Sequence, residues 1–258
     1  MQILGGYCRL GRIAPLLAIA MLAGCQTLQE LRDQMEPGPD YFWLVHSPDR
    51  SDADRVIDLR RKPERLLAFY GVRPGMRVLD LSAGAGYNTE LLARAVGATG
   101  RVYAQNSPYF LQNFVKGRFD ERMKKAAMAN VVHVAREFED PVPAEARDLD
   151  LVTFNFNYHD TVWLGTDRAR MNRALFQALK PGGTYIVADH SGRPGSGVTE
   201  TKTLHRVEES VVRREVEAAG FRFVAEGGFL RNPDDPRDAS VFKPKQPNDV
   251  FVLKFIKP

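Results

Sequence analysis

The stretch Val78-Leu-Asp-Leu-Ser-Ala-Gly-Ala-Gly-Tyr87 decides the fold, because an apolar run reaches an acid and then turns into a loop of small residues. This order predicts a β-strand that ends over a bound nucleotide, followed by a helix. A dinucleotide-binding loop needs a third glycine, and Thr89 occupies that position. The acidic ribose partner, expected roughly 20 residues further on, is also missing, since Asn106 stands there. A dinucleotide-binding oxidoreductase is therefore a disfavoured alternative.

Strand-like and helix-like segments alternate on both sides of this stretch. Apolar runs at 101–105, 131–135, 149–156 and 184–188 predict further strands, and segments with helical periodicity lie between them. One of these, after Ser107-Pro108, predicts a long helix that reaches Phe119. The last two strands, at 221–229 and 250–256, have only a loop between them and are expected to pair antiparallel. The sequence predicts an α/β, Rossmann-like three-layer sandwich with a mostly parallel seven-stranded sheet and an antiparallel last strand.

Composition and charge narrow the function classes. The chain has 258 residues, of which 44% are hydrophobic and 26% charged, as in an ordinary globular protein with one sizeable domain. The net charge of +4 is modest and forms no basic patch with interleaved aromatic residues. We therefore expect no nucleic-acid partner. The sequence carries no signal of an oligomeric state.

Residues 1–24 have the layout of a secretory signal peptide. Arg9 and Arg12 precede an apolar run that ends in Leu22-Ala-Gly-Cys25 and is shorter than the roughly 20 residues that span a bilayer. The ending resembles the lipobox of bacterial lipoproteins, which implies that Cys25 is lipidated and becomes the first mature residue. Residues 25–40 are then a lipidated tether. The expected location is the bacterial cell envelope, lipid-anchored and periplasm-facing, and an uncleaved membrane-anchor helix is the alternative.

Several short motifs carry a second resemblance. Asp80-Leu-Ser-Ala-Gly-Ala-Gly86 follows the pattern Asp/Glu-x-Gly-x-Gly-x-Gly, except that Ser82 replaces the first glycine. Lys180-Pro-Gly-Gly183 precedes the fifth strand, and Glu217-Ala-Ala-Gly-Phe221 precedes the sixth. With the order of elements, these motifs resemble the class I S-adenosylmethionine-dependent methyltransferases over roughly residues 63–258, and most of all a little-described branch of predicted methyltransferases. Residues 41–258 are accordingly expected to form a single methyltransferase-like domain.

The resemblance implies S-adenosylmethionine as the cofactor and a role for each matching position. The loop from Ser82 to Gly86 would approach the methionine part, and Asp80 would order this loop and meet the amino group. Asn106 would hold the ribose, with a weaker grip than the family's acid because it carries no charge. Glu137 would hold the adenine amine and Phe138 would cover the adenine ring, although a solvated charged loop is the alternative for Glu137. The implied cofactor-binding residues are Asp80, Ser82, Ala83, Gly84, Gly86, Asn106, Glu137, Phe138 and Asn155.

Histidines follow the fourth and fifth predicted strands and are expected to meet at one edge of the sheet. His159, Asp160 and His190 are the predicted catalytic residues, with a histidine as base and Asp160 orienting or charge-stabilising His159. Histidines satisfied by backbone groups are the alternative. No metal is predicted; a divalent cation on Asp160 and Asp189, as in the catechol-type enzymes of this superfamily, is a minor alternative. His46, His133 and His205 are expected to be structural or at the surface.

These observations predict methyl transfer from S-adenosylmethionine to a small-molecule or envelope acceptor. The alternative is a non-catalytic, periplasm-facing binding lipoprotein that retains the methyltransferase fold. Ser82 and Asn106, which depart from the family pattern, would be signs of that second function.

Overall fold

The computed structural model describes residues 41–242, 244 and 246–258. The predicted signal peptide and the lipidated tether, residues 1–40, lie outside the described residues. The described part of the chain belongs to one compact unit. Within it, no helix combines the length and apolar character that crossing a bilayer requires.

Seven strands form one sheet in the order β3-β2-β1-β4-β5-β7-β6. Strands β1 to β5 pair in parallel, and β7 runs antiparallel to both of its neighbours. The fold prediction is therefore confirmed, including the antiparallel pairing of the last two strands. The strands are β1 (Arg77–Leu81), β2 (Arg101–Asn106), β3 (Val131–Ala135), β4 (Leu149–Asn155), β5 (Leu179–His190), β6 (Arg222–Glu226) and β7 (Val250–Ile256).

Helices cover both faces of this sheet, and successive side chains of each strand enter different layers. Val78 of β1 packs into one apolar cluster with Leu92, whereas Leu79 packs into the other with Met171. These two clusters make the three-layer arrangement. The helices are α1 (Tyr41–Val45), α2 (Asp52–Arg61), α3 (Pro63–Tyr70), α4 (Tyr87–Val96), α5 (Pro108–Phe110), α6 (Arg118–Met123), α7 (Tyr158–Trp163), α8 (Arg168–Ala178) and α9 (Glu209–Ala218).

The prediction of one long helix after Ser107 is wrong. Helix α5 passes into a π-helical turn at Leu111–Val115 and ends there, and α6 begins only at Arg118. Lys116 and Gly117 adopt left-handed backbone angles, with φ of 50° and 79°, and separate the two segments. The repeat of apolar residues at intervals of four continued through this break, so periodicity alone could not reveal it.

The strand order reverses between β1 and β4, which places a crevice beyond their carboxyl ends. The small-residue loop follows β1, helix α7 follows β4, and β5 ends in Asp189 and His190. All three therefore reach the same edge of the sheet.

Candidate active site

A cavity of about 340 Å³ opens at this edge of the sheet. Gly84, His159, Asp160 and His190 are the predicted residues that line it. Cations and aromatic rings, which were not predicted, line it with them: Arg60, Arg61, Arg118, Phe110, Phe114, Phe156, Trp163 and Phe242. A second cavity of about 540 Å³ shares Arg60, Arg61, Phe156, His190 and Phe242.

The loop after β1 is held by the end of β2. Gln105 accepts the Ser82 N–H through its side chain at 3.0 Å and the Ala83 N–H through its backbone oxygen at 2.8 Å. Asn106 accepts the Gly84 N–H at 2.8 Å and donates to the Gly84 oxygen at 3.2 Å. The structure thus uses both ends of the Asn106 amide within the loop, and its role toward a ribose stays a prediction.

The loop after β1 contains a polar group without a hydrogen-bond partner and a glycine with open space beside it. Ser82 has φ of 57°, a conformation that favours glycine, and its buried Oγ has no hydrogen-bond partner among the described residues. Gly84 has φ of 60°, and a Cβ added there would meet no atom within 4 Å. Gly86 is different, because an added Cβ would lie 2.8 Å from Arg122 Cδ. Gly84 therefore faces open space, and Gly86 is required by packing.

Asp80 is buried and its carboxylate is fully engaged within the protein. It accepts hydrogen bonds from Asn88 at 2.8 Å, Thr89 at 2.6 Å and Thr153 at 2.8 Å. Burial raises its pKa, and these hydrogen bonds offset part of that effect. Thr89 occupies the position of a dinucleotide fold's third glycine, and its hydroxyl donates a hydrogen bond to this carboxylate. The bonds of Asp80 fix α4 and β4, whereas Gln105 and Asn106 order the loop.

Arg61, the last residue of α2, brings a positive charge into the cavity. Its guanidinium carbon lies 4.3 Å from the Phe156 ring centre and 5.3 Å from that of Tyr87. Burial lowers its pKa to about 10, so it remains charged at neutral pH. Its Nε is enclosed and has no hydrogen-bond partner among the described residues. Sequence reasoning missed Arg61, because basic residues at the end of a helix ordinarily complement the helix dipole.

His159 is held by the carboxylate at the end of β5. Asp189 accepts the His159 backbone N–H at 2.8 Å and lies 2.8 Å from His159 Nδ1. Burial alone would lower the pKa of His159, but Asp189 and Asp160 outweigh it and raise the pKa to about 10. Asp189, rather than Asp160, is therefore the group that orients the His159 ring. His159 Nε2 lies 3.3 Å from Asp160 Oδ1.

His205 joins this pair, contrary to the expectation that it is structural or at the surface. Its Nδ1 lies 3.3 Å from His159 Nε2 and 3.5 Å from Asp160 Oδ1. The segment that carries it runs between β5 and α9. Its position depends on how that segment returns to the sheet edge, which no local sequence signal indicates.

His190 is a neutral histidine in the same cavity. Burial, followed by the nearby charges of His159 and Arg206, keeps its pKa well below the ordinary value. Its Nδ1 is buried without a hydrogen-bond partner among the described residues. The ring is therefore uncharged at neutral pH.

Three further predicted residues, Glu137, Phe138 and Asn155, do not line the cavity. Glu137 is exposed in the loop after β3. Phe138 is buried between Phe110 and Phe154, with ring centres 5.9 Å away on each side. Asn155 is buried, and its Oδ1 accepts the Tyr70 hydroxyl at 3.2 Å. Direct contact of these three residues with a cofactor stays a prediction.

Comparison with known proteins shows the family of the chain. The model of the ubiE/COQ5 methyltransferase family matches residues 58–200. The ubiquinone/menaquinone biosynthesis C-methyltransferase UbiE of Vibrio cholerae is 28% identical over 167 residues, which cover 64% of this chain and 61% of that protein. The enzyme of the same name from Cronobacter sakazakii is 26% identical over 170 residues, covering 64% and 63%. The chain thus spans about three fifths of the length of these curated relatives.

Solved structures share the fold. An S-adenosylmethionine-dependent methyltransferase from Aquifex aeolicus aligns with a TM-score of 0.56 at 21% identity, over 81% of this chain and all of that one. An S-adenosylmethionine-dependent O-methyltransferase from Thermotoga maritima aligns with a TM-score of 0.51 at 17% identity, over 81% and 71%. Because the family model spans more than half of the sequence, the chain belongs to the ubiE/COQ5 family of S-adenosylmethionine-dependent methyltransferases.

Proposed function

We propose that this protein transfers a methyl group from S-adenosylmethionine to a small molecule that carries an anionic oxygen on an aromatic or apolar frame. The observation that carries the proposal is the composition of one cavity, where the Gly84 loop faces arginines, histidines and aromatic rings. Arg60 and Arg118, which also line this cavity, favour a negatively charged acceptor. The curated relatives are named for C-methylation in ubiquinone and menaquinone biosynthesis, and a hydroxylated aromatic ring is consistent with that name.

The residues present fit the cofactor in two respects. Open space beside Gly84 allows a ligand to approach the backbone, as a cofactor-binding loop requires. The enclosed Arg61 Nε and Ser82 Oγ are polar groups that the described protein leaves without a partner. Such groups are costly unless something pairs with them. A methionine carboxylate is the partner that a guanidinium fits.

Within this site, different residues of the chain would have different roles. S-adenosylmethionine, when bound, supplies a methyl group on a positively charged sulfur. Arg61 would hold the carboxylate, and the loop from Ser82 to Gly86 would position the bound molecule. His190 is neutral, so it would take up the ring proton that an aromatic acceptor loses when one of its carbons is methylated. Aromatic walls would exclude water and align the acceptor.

The test is methyl transfer by the full chain with methyl-labelled S-adenosylmethionine and a panel of acceptors. The panel contains hydroxylated aromatic compounds, aliphatic alcohols, primary amines and extracted envelope components. We expect labelled product from the hydroxylated aromatic class. Label on amines or aliphatic alcohols alone would contradict the proposed acceptor class. Saturable cofactor binding without transfer to any class would favour the non-catalytic binding lipoprotein.

We further propose that the protein acts at the cell envelope through a lipid on Cys25. The support is the sequence Leu22-Ala-Gly-Cys25 after a short apolar run. A lipid anchor would hold the domain beside a membrane, where apolar acceptors concentrate. The supply of S-adenosylmethionine outside the cytosol would then limit the reaction.

A further inference from the structure

Three side chains converge on one point of the cavity wall. His159 Nε2, Asp160 Oδ1 and His205 Nδ1 form a triangle with sides of 3.3, 3.3 and 3.5 Å. His159 and Asp160 are buried, and His205 is partly exposed. Among the described residues, this is the one group of histidines and acids whose ligand atoms converge so closely.

The triangle has a place for one positive charge, which is either a proton or a metal ion. An ionised Asp189 can only accept, so His159 Nδ1 carries the proton between them. Without a metal, the raised pKa of His159 places a second proton on Nε2, which faces the carboxylate oxygen of Asp160 at 3.3 Å. Two acceptors that face each other need a proton or a metal ion between them.

The spacing matches that of metal ligands. Zinc bonds of about 2.0–2.1 Å in tetrahedral geometry separate neighbouring ligand atoms by roughly 3.3 Å. All three sides of the triangle lie close to that separation. Two imidazoles and one carboxylate form a set of donors that suits first-row transition metals.

Supporting hydrogen bonds hold the donors in place, as they do in established metal sites. Asp189 fixes the ring of His159 through Nδ1. Asp160 accepts from Trp163 Nε1 at 2.8 Å and from Asn157 at 2.6 Å, one on each carboxylate oxygen. The carboxylate–histidine pair of Asp189 and His159 is the arrangement that typically supports a metal-bound histidine.

We propose that His159, Asp160 and His205 bind one divalent first-row transition-metal ion, such as Zn²⁺, through Nε2, Oδ1 and Nδ1. All three residues line the cavity of about 340 Å³, so a fourth coordination position would open into it. That position would take an oxygen donor, such as water or the anionic oxygen of a bound molecule. The inference differs from the sequence-based expectation of no metal. Metal binding does not depend on methyl transfer, and it is measured separately.

The experiment uses the full chain, without a histidine tag and stripped with a chelator. Zn²⁺ alone is titrated by calorimetry, and Co²⁺ alone is followed by its visible absorption bands. We expect one ion per chain and a Co²⁺ spectrum of a four-coordinate site. His205→Ala and the near-isosteric Asp160→Asn each remove a proposed ligand and should weaken Zn²⁺ binding by more than about 100-fold. Asp189→Asn removes only a supporting group and should weaken it by roughly 10–100-fold.

His46→Ala is the matched control, because His46 is exposed and lies outside the triangle. It should bind Zn²⁺ as the unchanged protein does. Absence of saturable binding, or equal affinities in His205→Ala, Asp160→Asn and His46→Ala, would overturn the proposal. Thermal unfolding of each variant verifies that it is folded. S-adenosylmethionine titration of the same samples separates loss of the metal from loss of cofactor binding, on which the proposed methyl transfer depends.

Discussion

At the residue scale, Gly84 offers the cleanest test of the cofactor position. An added Cβ would meet no protein atom, and only the φ of 60° resists a side chain there. We expect Gly84→Ala to cost about 1 kcal/mol of stability from this backbone strain. It should weaken S-adenosylmethionine binding at least about tenfold, because the methyl group would occupy the space that the cofactor needs. Calorimetry and thermal unfolding measure the two effects.

Gly117→Ala is the matched control for this change. Gly117 has φ of 79° and equally open surroundings, and it does not line the cavity. The stability cost should therefore be similar while the affinity stays unchanged. Equal losses of affinity in the two variants would show that Gly84 acts through stability alone.

Arg61 gives a second prediction at this scale. If its guanidinium holds a carboxylate, Arg61→Gln should remove a charge-assisted interaction of about 1.5–3 kcal/mol and weaken cofactor binding by roughly 10–100-fold. Arg65→Gln makes the same charge change at an exposed position of α3 and should have little effect. An Arg61→Gln variant with unchanged affinity would remove Arg61 from the cofactor site.

The candidate residues divide into those that sequence reasoning can place and those that it cannot. His159 and His190 follow strand ends, so the parallel sheet alone brings them to one edge. Arg61 and His205 lie at a helix end and in an irregular segment, and their approach depends on tertiary packing. Asp80 is intermediate, since its place was predicted but its three internal hydrogen bonds were not.

At the scale of elements, a buried carboxylate joins three helices. Glu90 of α4 is 1% exposed and pairs with Arg94, Arg122 and Lys125, and Arg122 also pairs with Asp54 of α2. Glu90→Gln removes the carboxylate that these three cations share, although Arg122 keeps Asp54 and Arg94 keeps Asp49, and it should cost about 3 kcal/mol of unfolding free energy. Glu121→Gln, which breaks an exposed pair with Lys124, should change it by less than about 1 kcal/mol. Denaturant unfolding measures both, and similar costs would refute the structural role of Glu90.

The same carboxylate predicts how stability depends on pH. Burial raises the pKa of Glu90, but hydrogen bonds from Arg94, Lys125 and Arg122 outweigh this and lower it below its ordinary value of 4.5. A lowered pKa in the folded state stabilises the fold above the unfolded pKa, and this contribution is lost as pH falls from about 4.5 downward. Glu90→Gln should therefore unfold with a weaker dependence on pH between about 5 and 3 than the unchanged protein. An identical dependence in the two proteins would contradict the pKa direction.

Element boundaries show what sequence patterns can and cannot indicate. Ser51 caps α2 by accepting the Asp54 N–H, and Gly71 ends α3, and both residue types are common signals of helix ends in a sequence. Helix α7 was not expected, since it follows directly from the end of β4 through Phe156 with φ of 62°. Short elements of this kind have no periodicity to detect, yet α7 carries His159 and Asp160.

At the scale of the whole molecule, the lipid anchor on Cys25 is a prediction about a segment outside the described residues. If Cys25 is lipidated, the protein expressed in bacteria should incorporate labelled fatty acid and sediment with membranes. Cys25→Ser should abolish incorporation, whereas Cys8→Ser, which changes the other cysteine, should not. Incorporation that persists in Cys25→Ser would contradict the lipobox interpretation.

The strand order places the cavity beyond the end of β1, and one measurement tests directly what this cavity binds. Calorimetric titration of the full chain with S-adenosylmethionine, S-adenosylhomocysteine and NAD tests whether the cavity over β1 holds the family's cofactor. We predict saturable binding of the first two at one site and no binding of NAD, because Thr89 and Asn106 depart from the dinucleotide pattern. Absence of binding by both S-adenosyl compounds, or saturable binding of NAD in their place, would contradict the assignment of this cavity as a methyltransferase site.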